Sequence, residues 1–242
     1  MRTDNKHTYN TRGHAPPLEG TDLYRFFHTG GEETLALRGV SITVDAGETV
    51  AVTGPSGSGK STLLACLTGL DEPDGGMVRV AGHDLSRRPE TERSRFRARL
   101  IGMLFQSNNL LDHLSVAGNV AIARRLARST ARTRPSIATL LDELGISHRA
   151  GSRPSQLSGG EACRAGLAVA LANDPEVIVA DEPTGELDSE SASLVLNLLI
   201  ERARKGAAVL IVTHSSSVAA IAHREIRLRD GVVAPFLIGH HE

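Results

Sequence analysis

The stretch GPSGSGKST, positions 54–62, sets glycines in front of a lysine and two hydroxyls, a composition suited to holding phosphate. Gly54, Pro55, Ser56, Gly57, Ser58, Gly59, Lys60, Ser61 and Thr62 fit the pattern G-x-x-x-x-G-K-[ST]. Successive backbone N–H groups in such a loop form a concave nest, and glycine tolerates the angles required. Lys60 can then reach the β- and γ-phosphates, and the Ser61 hydroxyl can ligate Mg²⁺. VIVADEP, 177–183, ends an apolar run on two carboxylates. Asp181 would hold Mg²⁺ directly or through water, and Glu182 could orient and deprotonate an attacking water. Together these residues describe a nucleotide hydrolase. A second glycine motif, QLSGGEACR at 156–164, precedes an apolar helical run. Ser158, Gly159 and Gly160 would offer unpaired N–H groups to an anion there, which leaves two phosphate-type sites to explain in one chain.

These residues need a scaffold of alternating strands and helices, and the pattern supplies one. Val40, Ile42 and Val44 alternate with polar residues as in a half-buried strand, and TVAVT (49–53) leads directly into the phosphate loop. A helix follows in KSTLLACLTGL, then a turn at 71–76, a strand in MVRVAG, a charged segment at 86–99 and a strand at 100–105. From about 107 to 165 the pattern becomes helical. Ile137, Leu140, Leu141 and Leu144 fall on one helix face, with Pro135 suited to a first turn and Gly145 to a stop. Strand and helix then alternate again: VIVAD, a helix over about 189–204, AAVLIVT, a short helix and EIRLR. The unbroken apolar runs predict central parallel strands covered on both faces.

Composition narrows the function classes. The chain has 242 residues with 27 basic and 28 acidic side chains, a net charge of −1, so no global field favours nucleic acid or membrane. Only Lys6, Lys60 and Lys205 are lysines, which makes the one in the phosphate loop less of an accident. Cys66 and Cys163 form no CxxC pair and read as reduced thiols. No run approaches a membrane span, and the first twenty residues lack a signal-peptide core, so membrane work would go through a partner. Arg87, Arg88, Arg93, Arg95, Arg97 and Arg99, with further arginines over 124–134, read as a solvated helix face, with attraction to anionic lipid as the alternative. His240 and His241 read as tail residues.

From about residue 20 to 234 the chain resembles the ATP-binding subunits of ABC transporters. LSGGE (157–161) looks like that family's signature, and the phosphate loop, signature, ADEPTGELD and VTH occur in the family's order. The resemblance implies a P-loop NTPase core of mainly parallel sheet, an N-terminal antiparallel β subdomain and an inserted helical subdomain at about 107–165. It implies a flexible arm over 1–20, one ABC ATPase domain over 21–234 and a tail over 235–242. Gln106 matches the Q-loop glutamine, a sensor of Mg²⁺ and γ-phosphate, Asp188 the D-loop aspartate, and His214 the switch histidine, which would contact the γ-phosphate and help Glu182 fix the water. In this family two subunits pack head to tail, so Ser158, Gly159, Gly160 and Glu161 would act in trans on nucleotide held by the partner's phosphate loop. That arrangement answers why two phosphate sites occur. ATP would join the surfaces and hydrolysis release them, a switch driven by differential affinity.

Family members stack adenine on an aromatic residue ahead of the phosphate loop. Tyr24, Phe26 and Phe27 are candidates, and alignment of GGEETLAL favours Phe27, where tyrosine is usual. GEETLALRGVSI, FQSNNLLDHLSVAGNV and Glu161 are most similar to the branch serving macrolide export, lipoprotein release and the cell-division complex. The implied protein is a Mg²⁺-dependent ATPase, a homodimer when ATP-bound, peripheral on the cytoplasmic face of the membrane. It would drive a separate permease docked near the Q-loop and helical subdomain. The alternatives are a membrane-associated switch that moves no substrate, and a soluble ABC ATPase acting as a nucleic-acid clamp or in cofactor assembly. Ala162 and Cys163 replace the usual two glutamines after the signature, and THSSS lacks the acidic residue that often follows the histidine. These departures bear on turnover rate.

Overall fold

The computed structural model describes residues 15–29, 32–107, 109–128 and 134–234. Most of the expected arm, the expected tail, both terminal histidines and Arg132 lie outside those residues.

Strand β1 (Leu18–Thr29) pairs antiparallel with β2 (Glu32–Val44), burying Leu18, Leu23, Leu37, Val40, Ile42 and Val44 on one face. β1 therefore starts inside the segment read as an arm, because Leu18 and Gly20 already pair with both neighbouring strands. β3 (Thr49–Thr53) feeds the phosphate loop and helix α1 (Lys60–Leu67). β4 (Gly75–Val80) and β5 (His83–Asp84) complete a four-stranded sheet in the order β2-β1-β4-β5.

α2 (Glu90–Leu100) is the charged segment, and three of the six arginines of this stretch form ion pairs, Arg88 just before the helix and two within it. Arg88 pairs with Glu92, Arg93 with Glu72 and Glu90, and Arg97 with Glu90. Arg87, Arg95 and Arg99 are exposed, whereas Arg93 and Arg97 are half-buried in their ion pairs.

β6 (Ile101–Leu104) precedes the helical insert of α3 (Val116–Leu126), α4 (Ile137–Glu143) and α5 (Gly159–Ala170). Pro135 stands outside α4, because Ser136 is the cap and accepts the Thr139 N–H. Gly145 ends that stretch at φ +64°, a conformation that favours glycine. β7 (Val177–Asp181), α6 (Ser189–Arg204), β8 (Ala208–Val212), α7 (Ser216–Ala220), β9 (Arg224–Arg229) and β10 (Val232–Val233) follow.

The second sheet has the order β10-β9-β3-β8-β7-β6, parallel except for β10. Alternation along the buried strands splits the core in two. Val177, Val179, Leu210 and Val212 face α1 and the antiparallel sheet, whereas Ile178, Ala180, Val209 and Ile211 face α5 and α6. Covering both faces is what the continuous apolar runs require. Among the described residues no helix is long and apolar enough to cross a membrane.

Candidate functional site

The C-terminal ends of the central parallel strands gather the polar residues, as is general for open α/β sheets. The β3–α1 loop is held close to its surroundings. A Cβ on Gly54 would lie 2.1 Å from the Leu228 carbonyl oxygen, and one on Gly59, at φ +100°, 2.5 Å from that of Ala36. Only glycine fits either position. Lys60 Nζ folds back onto the loop, donating to the carbonyls of Gly54 at 2.8 Å and Pro55 at 3.0 Å. The Ser58 hydroxyl is buried with no partner among the described residues, an unmet polar group in the loop wall.

Asp181 closes β7, and Glu182 follows with a left-handed backbone, φ +47°, its N–H bonded to the Val212 carbonyl at 2.9 Å. A non-glycine residue in this region carries strain, which here turns the side chain off the end of the strand. Its carboxylate accepts from Thr213 Oγ1 at 3.1 Å and lies 2.8 Å from His214 Nδ1. Thr213 went unnoticed in the sequence, where its place beside the switch histidine was the available signal. Burial, with Glu182's charge adding to it and Lys60 opposing, pushes the Asp181 carboxyl above the usual carboxylate range.

A cleft of about 640 Å³ joins these groups to the N-terminal sheet. Ser56, Gly57, Gly59, Lys60, Ser61 and Thr62 line it together with Gln106, Asp181, Glu182 and His214. Phe27 lines the same cleft at the β1–β2 hairpin, with Thr34, Leu35, Ala36 and Arg38, and with Asp230 and Gly231, whose carbonyl accepts the Arg38 N–H at 2.8 Å. Tyr24 lies instead against Gly39 and Gly75, and neither it nor Phe26 lines the cleft. Gly54, Pro55 and Ser58 build the loop without lining the opening.

The Gln106 amide nitrogen donates to Glu186 at 3.2 Å. A cation here would find the Ser61 hydroxyl, the Asp181 carboxylate and the Gln106 carbonyl. That all-oxygen set with a single carboxylate suits Mg²⁺ shared with a nucleotide, and the raised Asp181 carboxyl is a negative site that a cation would relieve. No cluster of three or more His, Cys, Asp or Glu residues able to hold a metal by themselves occurs among the described residues.

The second glycine motif does not line this cleft. Ser158 caps α5, with its Oγ accepting the Glu161 N–H at 3.3 Å while Glu161 Oε2 accepts the Ser158 N–H at 2.8 Å. Glu161 also binds Arg149 at 2.9 Å and His148 at 3.3 Å. The Ser158 N–H first, then Arg149 and His148, hold its carboxyl down to about 2. Ser158 and Gly159 are exposed, but two expectations for their neighbours change. The Glu161 carboxylate is engaged within its own chain by this reciprocal cap. Gly160 is buried, with its missing Cβ only 2.4 Å from Ser191 Oγ, so it serves the close approach of α5 to α6. Asp188 caps α6, accepting the N–H groups of Glu190 at 3.1 Å and Ser191 at 2.9 Å. Cys163 Sγ donates to the Pro183 carbonyl at 3.4 Å, and burial pushes its thiol up to about 11.

Comparison with known proteins agrees with this geometry. The family model described as ABC transporter matches residues 37–185. The macrolide export ATP-binding/permease protein MacB of Burkholderia thailandensis is 45% identical over 227 residues, 93% of this chain and 35% of that protein. The chain thus spans about a third of the MacB relatives it matches. The lipoprotein-releasing system ATP-binding protein LolD of Psychrobacter arcticus is 42% identical over 217 residues, covering 88% of this chain and 96% of LolD. Among solved structures, the dimeric ABC transporter cassette MJ0796 superposes with a TM-score of 0.82 at 33% identity, over 90% of this chain and 97% of that one. A second MJ0796 dimer, in a post-hydrolysis state with ADP and Pi, gives the same score at 32% identity. The chain belongs to the ABC transporter family, as an ATP-binding cassette of the MacB and LolD type.

Proposed function

We propose that two copies of this chain bind and hydrolyse ATP between them and so drive a separate membrane permease. The observation that carries the reading is the single cleft shared by Phe27, the phosphate loop, Asp181, Glu182 and His214, with Ser158 and Gly159 exposed but outside its lining. The signature of one copy lies outside the lining of its own cleft, and in this reading a second copy completes each site. The MJ0796 cassettes, described as dimeric, support the same assembly.

In this reading Phe27 stacks the adenine. The loop N–H groups and Lys60, released from the carbonyls it now holds, bind the phosphates. Ser61, Asp181 and Gln106 would hold Mg²⁺, which would supply neutralisation of the phosphate charge. Glu182 accepts a proton from the attacking water, and His214, hydrogen-bonded to the same carboxylate, keeps that side chain aimed. Ser158 Oγ and the exposed N-terminus of α5 meet the partner's γ-phosphate, which ADP lacks, so hydrolysis weakens the dimer.

Leu111, five residues after Gln106, and Ile122 and Leu126 on α3 are exposed, which supports docking of the permease on the helical insert. Charge provides no competing case for nucleic acid. A peripheral position on the cytoplasmic face of the membrane follows from such a partner. Affinity purification of the tagged chain from detergent-solubilised membranes, followed by Mg-ATPase assay and gel filtration with and without ATP, tests the proposal. A copurifying polytopic membrane protein and an ATP-dependent dimer are expected. A chain that hydrolyses ATP as a monomer and brings down no membrane protein sinks it.

A further inference from the structure

Behind Phe27, on β1, stands Arg25, whose guanidinium carbon is 4.9 Å from the centre of the Phe27 ring. Phe27 lines the nucleotide cleft and Arg25 does not, so the cation covers the ring from outside the cleft. Arg25 is itself gripped from two sides. Its Nε and Nη2 form a fork onto the two oxygens of Asp71 at 2.9 and 3.0 Å, while Nη1 donates to Asp74 at 3.0 and 3.1 Å. Asp74 also accepts the Phe26 N–H at 2.7 Å and donates its own N–H to the Tyr24 carbonyl at 2.9 Å. Asp71 is fastened to α1, with its N–H on the Ala65 carbonyl at 3.1 Å.

This path links the two ends of the cleft. α1 begins at Lys60 in the phosphate loop, and the segment after its last turn carries the carboxylates that hold Arg25. A planar five-donor cation suits the position, because lysine could neither make the fork nor lie flat against a ring. The arrangement leaves Arg25 little freedom to swing away, and Phe27 is pressed between a fixed cation and the cleft.

We propose that Arg25 is a positioning residue for base recognition: locked to Asp71 and Asp74, it braces Phe27 at a fixed distance from the phosphate loop. The proposal rests on the reading of Phe27 as the adenine platform. It assigns to Asp71 and Asp74, which touch no nucleotide, a share in nucleotide affinity. Stiffening the platform before binding lowers the ordering cost that binding must meet.

The test separates base from phosphate. Calorimetric titrations of the full chain with Mg-ATP and with Mg-tripolyphosphate, which has no base, are compared for wild type, Arg25→Met, Arg25→Lys, Asp71→Asn and Phe27→Ala. Removing this half-buried cation–π brace should weaken Mg-ATP binding roughly two- to fivefold in Arg25→Met. Mg-tripolyphosphate binding should be unchanged. Arg25→Lys and Asp71→Asn should lose less than Arg25→Met, and Arg25→Met should cost nothing further in the Phe27→Ala background. Equal weakening of both ligands makes Arg25 a general scaffold residue and overturns the proposal. So does an unchanged Mg-ATP affinity in Arg25→Met when Phe27→Ala weakens it, an outcome that leaves Phe27 as the platform. If Phe27→Ala itself binds Mg-ATP normally, the platform reading fails and the brace with it.

Discussion

Nδ1 of His214 lies 2.8 Å from Oε1 of Glu182, while the other Glu182 oxygen accepts from Thr213. Both carboxylate oxygens are thus engaged by adjacent residues at the end of β8. A base held at two points is pre-aimed, and a histidine alongside can follow its change of charge. Glu182→Gln keeps the shape and loses the basicity, so turnover should fall by roughly 10²–10⁴-fold with ATP binding retained. An ATP-bound dimer should accumulate on gel filtration. His214→Ala should lower kcat with little change in ATP affinity, because His214 contacts the Glu182 carboxylate. Wild-type turnover in Glu182→Gln removes that residue from the role of base.

Phe27 offers a ring face and no hydrogen-bonding group to the base. Stacking geometry contributes on the order of 1 kcal/mol beyond burial, so Phe27→Ala should weaken ATP binding severalfold. A face does not distinguish donor and acceptor patterns on a purine. Competition between ATP and GTP should therefore show modest preference in the wild type. A strong preference for one would mean that an edge contact elsewhere in the cleft reads the base.

Much of the scaffold was legible because it follows from local pattern. The helix read at about 189–204 is α6, Ser189–Arg204, where cap and periodicity agree. The apolar runs became β3, β7 and β8, since strands covered on both faces keep polar residues only at their ends. The beginning of β1 was hidden because Leu18 and Gly20 gain their strand identity from β2 and β4, not from their neighbours. In the site, the loop and carboxylates were visible as contiguous motifs. The burial of Gly160 against Ser191 and the grip of Arg149 on Glu161 were not, because contacts made across 31 and 12 residues leave no spacing signature. Arg25 was passed over for the same reason, its partners standing 46 and 49 positions away.

Asp181 carries the pH consequence. Its carboxyl is raised chiefly by burial, so the folded chain holds that proton more tightly than the unfolded chain does. A group of this sign stabilises the fold as pH falls through the folded value and costs stability above it. At neutral pH without cation the charge is therefore a burden, and Asp181→Asn should raise the Tm of the nucleotide-free protein. The gain should shrink on acidification, as the wild-type carboxyl takes up its proton. The same variant should lose Mg²⁺-stimulated hydrolysis. Thermal melts at pH 7 and pH 4.5 check the sign, and a variant less stable than wild type at pH 7 refutes it.

The two glycines of the signature separate fold from assembly. A side chain at Gly160 meets Ser191 Oγ at 2.4 Å, so Gly160→Ala overpacks the α5–α6 contact and should cost about 1–3 kcal/mol of stability. It cannot test the dimer. Gly159 is exposed, with Leu187 at 3.8 Å as the nearest atom to an added Cβ, so the chain can accommodate a larger residue there. Gly159→Asp should leave the monomer's Tm and ATP affinity near wild type. In a head-to-tail dimer the new carboxylate opposes the partner's γ-phosphate, and closure and hydrolysis should both fail. Lys60→Ala should fail earlier, at nucleotide binding. Mixing the two inactive proteins is the decisive measurement, because a mixed dimer holds one site with both defects and one with neither. Some hydrolysis should return, in proportion to the mixed dimers formed and to how far one intact site suffices. If mixing restores nothing, and Gly159→Asp has lost ATP binding as a monomer, then the signature acts within its own chain and the paired-site reading is wrong.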